Sequence, residues 1–557
     1  MNKPALDLPT RRWVPQWLGI MTVFVILLPM LLMNGAYTGC TVEVSNTLGV
    51  LSEDMTMAYY ATSAGLAMAY PVIRRIRDAA TSKTVLLFNL IMQTLLSFIC
   101  GYAKNMDVII MCSFLIGFLK AFVMFEVVVM IRPLFSPRRI RSEFYAWFYP
   151  LAFAGGQVSI ALTAQLAYYY QWQYMYYLVM ILLLAAIIFI LCFFRFLRRP
   201  VYIHFHRADW KSIPLAAGVM LMTIYFFTYG RTLDWFASNR LRIYAVLIPL
   251  LALLFIQRQR DNRERFISLR IFNTFKPATG YLFMSFTMLF STTSTLVTSY
   301  MNSVLGVDSL HVNALNLWLL PGFALGGFIC FWWFRRQRWR FRYLISAGLW
   351  CFVIYLALLY FGVSANATYE ALYLPVFFRG LGMMVLFIAL ALFVVEDLKP
   401  EIISSNTFFM IGTRSSLAPA MSASLFSNWL YHRQTEGMHI LAEGMRMDNP
   451  LFAGQFGQSL TNAMASGHSV EAAAQLADNS VYNVLQRQAT LLGIKAILGY
   501  MLMLALSWPQ LPRSSHSTRP SGCRQSKRET TWLERGSFVD IGVSICNLCM
   551  DRPGIHP

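Results

Sequence analysis

Residues 108–131 read VIIMCSFLIGFLKAFVMFEVVVMI, carry only the charges Lys120 and Glu126, and are followed by the turn Ser136-Pro-Arg-Arg-Ile-Arg-Ser-Glu143. As a helix rising about 1.5 Å per residue, such a run crosses a hydrocarbon core about 30 Å thick. A surface helix of a soluble domain would show a polar stripe every three or four residues; this one is apolar all round, as a helix surrounded by lipid or protein must be. The basic cluster just beyond it is the mark of a cytoplasmic span end.

The pattern recurs. Runs of about 20 apolar residues bounded by charges or turn residues predict spans. Fourteen lie near 17–40, 55–73, 84–103, 108–131, 144–168, 174–194, 212–230, 241–257, 277–301, 314–334, 343–362, 371–395, 403–429 and 490–508. Composition agrees: 57% of the 557 residues are hydrophobic and 13% charged, too few polar groups to clothe several soluble domains. The expected fold class is an all-α polytopic membrane protein. A net charge of +20 would suggest nucleic acid as partner of a soluble protein. Here the basic residues sit in short turns between spans without an RNA-binding or helix-turn-helix pattern, so no nucleic-acid partner is expected.

With the N-terminus in the cytoplasm, 35 of the 46 Lys and Arg fall inside and 7 outside. The reverse would expose Arg74-Arg75-Ile-Arg77, Arg138-Arg139-Ile-Arg141 and Arg335-Arg336-Gln-Arg338-Trp-Arg340, against the positive-inside rule. Both termini are therefore expected in the cytoplasm. The first apolar run is too long for a signal peptide and has no small-residue cleavage site. Cysteines scattered singly through spans read as packing residues. Cys546-Asn-Leu-Cys549 has no close His or Cys partners, and no metal is expected.

The short basic loops Arg74 to Lys83 and Arg335 to Arg342, each followed two spans later by a charged turn (Ser136 to Glu143; Glu396 to Glu401), indicate an internal repeat of six spans. The layout expected is 6+2+6: a cytoplasmic start (1–16), a first bundle (17–199), two inserted helices with basic linkers (200–276), a second bundle (277–508) with an outer segment (431–489), and a disordered tail (509–557). Such repeats rock about a midplane site, exposing it to each side in turn.

An ionisable group at the centre of a span costs about 2.5–3.5 kcal/mol on insertion scales, so it requires a partner or a wet cavity. Lys120, Arg379 and Arg414 fall near mid-depth, Glu126 about one and a half turns from the inner end of span four, and Glu43 at the outer end of span one. In a two-bundle carrier the first and fourth helices of each bundle line the centre; here they carry Asn34, Lys120 with Glu126, Thr292-Thr-Ser-Thr295 and Arg379. Substrate-cavity candidates are thus Asn34, Thr292, Thr293, Thr295, Arg379 and Arg414; the alternative reading is that the same charges serve packing alone. Lys120 and Glu126, about 240° apart round the helix, do not face each other. Proton coupling needs a group that gains and loses its proton, which selects Glu126, then Lys120 and Glu43. The arginines keep their charge and suit an anionic or weakly acidic substrate better than a quaternary cation.

Several short motifs point further: Pro71-Val-Ile-Arg-Arg-Ile-Arg-Asp78 with Lys83 following, Ile116-Gly117, Phe135-Ser-Pro-Arg138, Trp172-Gln-Tyr174, Val304-Leu-Gly306, Leu319-Leu-Pro-Gly322, Arg379-Gly-Leu-Gly382 and Ile411-Gly-Thr-Arg414. With these the chain resembles, from about residue 17 to 508, the fourteen-span drug:proton antiporters of the major facilitator superfamily, the EmrB/QacA type. The resemblance implies an inner-gate charge network at Asp78, Arg74 and Lys83. It departs from the family where the membrane-embedded aspartate of span one falls at Met33, the arginine of span four at Ser113, and the glycine-proline motif of span five at Ala154-Gly155-Gly156. Coupling, if kept, must use other carboxylates, hence Glu126.

The outer segment Tyr431 to Ala489 implies, by the same resemblance, a bacterial inner membrane facing a periplasmic adaptor and outer-membrane channel. The expected function is proton-driven efflux of lipophilic or amphiphilic compounds. The alternative on this fold is an importer or exchanger of organic anions. A membrane-embedded enzyme is disfavoured: His204 and His206 have only Asp209 as a nearby acid, and no P-loop or cofactor signature is present.

Overall fold

The computed structural model describes residues 9–33, 36–79, 81–136, 140–196, 209–261, 265–336, 340–396, 398–399, 402–443 and 450–507. Among them the secondary structure is helical, apart from an isolated bridge between Thr10 and Phe194. Asn34, His204, His206, Glu401 and the tail from 508 lie outside the described residues, as do the side chains of Arg74 and Asp78.

The long helices are α1 (Gln16–Leu32), α2 (Ser52–Ala79), α3 (Ser82–Tyr102), α4 (Met106–Phe135), α5 (Arg141–Tyr169), α6 (Tyr174–Phe193), α7 (Ser212–Tyr229), α8 (Asn239–Asp261), α9 (Phe275–Thr292), α10 (Leu319–Arg335), α11 (Phe341–Gly362), α12 (Tyr373–Val395), α13 (Ile403–Gly412), α14 (Ala418–Glu443), α15 (Pro450–Ala465) and α16 (Val470–Ser507). Helix stands over each of the fourteen apolar runs. Among the described residues, nine helices are long and apolar enough to cross a membrane by length and composition.

Local chemistry sets the ends. The quoted run becomes α4, whose first turn is capped by the Asn105 side chain accepting the Asp107 N–H at 2.9 Å; Asp107 adds a negative charge at the positive end of the helix dipole. Thr81 caps α3 by accepting the Thr84 N–H at 3.2 Å. The first run differs from the unbroken span expected: α1 stops at Leu32, one turn after Pro29, and short helices Ala36–Gly39 and Thr41–Leu48 follow. At the other end, the helix over 490–508 begins twenty residues early, at Val470.

Helices α1–α6 pack on one another, α2 against α4 most extensively; α9–α14 and α16 form a second group in which α12 packs on α9, α10 and α11. The two groups meet along α2 with α13 and α5 with α10. Small residues permit these crossings. A Cβ on Gly117 of α4 would sit 1.9 Å from the Thr62 carbonyl oxygen of α2, and one on Gly327 of α10 would sit 2.5 Å from the Pro150 ring of α5.

The pair α7–α8 lies against both groups. Tyr229 donates to Asp54 and Thr232 to Glu53 at 2.9 Å on the α2 side, while Arg231 donates to Ser427 at 2.9 Å and Trp235 to Asn428 at 3.2 Å on α14. The turn joining α7 and α8 holds Asp234 and Trp235 at positive φ (49° each), a conformation unfavourable for residues with a side chain. At its other end Asp209 takes two bonds from Arg258, the shorter 2.6 Å, and Ser268 N–H donates to Ser405 of α13 at 2.9 Å.

Gly117→Leu should lower the thermal unfolding midpoint of the purified protein and broaden its size-exclusion peak, since backbone contact leaves the added side chain no room; overpacking of this kind costs about 1–3 kcal/mol. An unchanged midpoint and a sharp peak would show the crossing to be looser than described.

Candidate functional site

Tyr145, Tyr149 and Phe153 recur every four residues on α5 and so share one helix face. That face meets the second helix group: Phe153 stacks on Phe387 of α12 at 5.2 Å between centroids and meets Phe323 of α10 edge-on at 6.0 Å. Between α13 and α14 the chain makes one π-helical turn, Thr413–Leu417. Such turns insert an extra residue into the ladder and occur often at functional sites.

This turn carries Arg414. Its guanidinium carbon lies 5.3 Å from the Phe387 ring centroid and 5.4 Å from those of Tyr149 and Phe153, within cation–π range of all three. Tyr59 and Tyr70 of α2 lie within its electrostatic reach. Arg414 Nε and Nη1 are buried without an acceptor, and among the described residues the side chain has neither an ion pair nor a hydrogen bond. A guanidinium cannot shed its proton in a protein, so a permanent charge stands among aromatic faces where the two helix groups meet.

Several other cations have partners, although Arg379 keeps its buried Nε without an acceptor. Arg379, in the second turn of α12, is 6% exposed and donates to Asn316 at 3.3 Å. Arg258 pairs with Asp209 at 2.6 Å, and Lys276 with Glu396 at 2.7 Å. Lys83 donates to the Phe194 carbonyl at 2.8 Å and lies 4.6 Å from the Phe196 ring. It thus caps the C-terminal end of α6, where the helix dipole favours a cation.

The threonine run at the end of α9 bonds locally and to α11. Thr292 donates to the Met288 carbonyl at 2.7 Å and Thr295 to that of Thr292 at 2.9 Å; Thr293 lies 2.9 Å from the Tyr355 hydroxyl of α11. Hydroxyls in helices commonly bond the preceding turn in this way.

Lys120 and Glu126 are both buried in α4, 1% and 2% exposed, and both take part in polar interactions. Glu43 accepts from Ser309 at 2.8 Å, and nearby Asn313 donates to the Gly39 carbonyl at 3.3 Å. These bonds tie the two helix groups together at the face opposite the basic turns. The structure therefore assembles Arg414 with Tyr149, Phe153 and Phe387, which sequence reading did not select. The one signal for them was the four-residue aromatic period on α5, faint in a chain that is 15% aromatic.

Two helix groups meeting along paired seams around a half-buried charge suit a membrane carrier. The Major Facilitator Superfamily model matches residues 17–423, more than half of the chain, and the chain belongs to that superfamily. It is a multi-pass membrane transporter.

Similar solved structures include a mutant of the nucleoside transporter NupG (11% identity, TM-score 0.49, covering 88% of this chain and 99% of that one). The human organic anion transporter MFSD10 (TETRAN) gives 12%, 0.46, 88% and 100%. NupG itself gives 12%, 0.44, 88% and 99%. No curated protein sequence matches.

Thr293→Val should destabilise by about 1 kcal/mol, the usual net worth of one buried hydrogen bond, and leave ligand affinity within twofold in a titration of the reconstituted protein. A tenfold affinity loss without destabilisation would instead put the threonine in the substrate path.

Proposed function

We propose that this transporter is a proton-driven exporter of lipophilic and amphiphilic compounds, of the fourteen-span drug antiporter branch, working by alternating access. In this reading fourteen crossings in 6+2+6 order leave both termini in the cytoplasm, and the basic turns face inward. The bundles pivot along the α2–α13 and α5–α10 seams. The observation that carries the reading is the position of Arg414 and its three rings on those seams, where a substrate meets both bundles at once.

Glu126, with Lys120 on the same helix, is the proposed coupling group, because a buried group can take up or release its proton as access alternates. Glu43 acts in this scheme as part of the outer closure through Ser309. Asn34, Arg74 and Asp78 keep their sequence-based assignments to cavity and inner gate. The helices α14, α15 and α16 continue well past the expected outer membrane boundary and pack on one another. An outer extension of this kind suits a periplasmic adaptor, and in this reading the protein sits in a bacterial inner membrane. Exchange of organic anions without protons is the second reading, favoured by the fixed charge of Arg414.

In proteoliposomes under an imposed pH gradient, flux of an amphiphilic dye should fall at least tenfold in Glu126→Gln and Lys120→Met, with dye binding retained. Undiminished gradient-driven flux in both variants would remove this helix from the coupling step. Dye counterflow independent of the pH gradient would favour the exchanger.

A further inference from the structure

We infer that the Arg414 site selects flat aromatic monoanions, a carboxylate or sulfonate carried on a naphthalene-sized ring. The inference rests on the proposed transport role for the position of the site; the chemistry comes from the side chains. Arg414 is half-buried with its Nε and Nη1 shielded from water, and such a guanidinium calls for an opposite charge and hydrogen-bond acceptors. Arg414 has neither among the described residues, while Arg258, Lys276 and Arg433 each hold a carboxylate. The rings of Tyr149, Phe153 and Phe387 soften that demand by cation–π attraction but offer no acceptor to its N–H groups.

Carboxylates and sulfonates supply what is missing: charge-assisted acceptors for an arginine donor set. One fixed positive charge matches one negative charge. A dianion would bring a second charge into an apolar setting, since Met288, Phe387 and Ala418 form a buried cluster with Phe153 and Met383 packed on it. A cation would meet Arg414 with no carboxylate paired to it.

The walls select for shape. Flat rings stack on aromatic faces at offset or edge-on geometry, and Phe153 and Phe387 already lie nearly parallel, 27° apart, across the boundary between the helix groups. A flat guest that slides beside Arg414 exchanges part of the Phe153–Phe387 contact for contacts of its own. Because Phe153 belongs to α5 and Phe387 to α12, that exchange also loosens one tie between the groups. Binding energy is thereby linked to their relative movement.

The test uses three probes of one shape, 2-naphthoate, 2-naphthamide and 2-naphthyltrimethylammonium, titrated by calorimetry into the full chain in nanodiscs. Empty nanodiscs give the lipid background. Naphthoate should bind at least tenfold more tightly than either other probe. Arg414→Gln should abolish that preference while leaving naphthamide within twofold; Arg414→Lys should keep part of it; Phe387→Ala should weaken naphthoate and naphthamide alike. Each tenfold corresponds to about 1.4 kcal/mol.

Equal affinity for the three probes, tighter binding of the ammonium, or naphthoate binding that survives Arg414→Gln would overturn the inference, as would no binding of any probe. If Arg414→Gln fails to fold, Arg414→Lys and Phe387→Ala still decide it. Charge preference without gradient-driven flux would uphold the ligand class and reject only the exporter reading.

Discussion

An arginine cannot be neutralised by burial, and this single constraint organises the seam between the two helix groups. Arg414 is held by three aromatic faces in place of a counter-ion. Other cations are met by ordinary means: a carboxylate for Arg258 and helix-end carbonyls for Lys83. The contrast separates these cations from Arg414, which has neither an ion pair nor a hydrogen bond among the described residues.

The scaffold serves that position. The π turn at 413–417 interrupts the long helix formed by α13 and α14 where the arginine must emerge, and the four-residue aromatic period of α5 brings Tyr149 and Phe153 to meet it. Around the seam, α7 and α8 bond to α2 on one side and α14 on the other. Any movement of one group against the other must stretch or release those bonds. The Glu43–Ser309 and Asn313–Gly39 bonds are the corresponding ties at the face opposite the basic turns. Movement of this kind proceeds by exchanging discrete contacts, because packed interfaces resist continuous deformation.

Much of the architecture was legible from residue order because lipid imposes a length and polarity on every span; the run 108–131 reads as a helix without any tertiary information. Arg414 was legible for the same reason, as a charge in an apolar run. Its rings were not, since aromatic residues fill so much of the chain that neither Phe387 nor Tyr149 stands out. The backbone bonds of Thr292 and Thr295 were not legible either, since sequence does not reveal which helical hydroxyls bond their own preceding turn. Lys83 matched a loop motif, yet its bonds run to Phe194, more than a hundred residues away, a pairing that only the fold creates.

In the proposed transport cycle the two helix groups exchange ties at opposite faces about the Arg414 seam. Pulsed electron–electron resonance on two spin-label pairs tests it directly: Asn46 with His311 at the Glu43–Ser309 face, and Thr84 with Arg340 at the basic face. The expected result is two distance populations for each pair, shifting in opposite directions when ligand or pH is changed. One unchanged distance at both faces, with ligand shown to be bound, would contradict it.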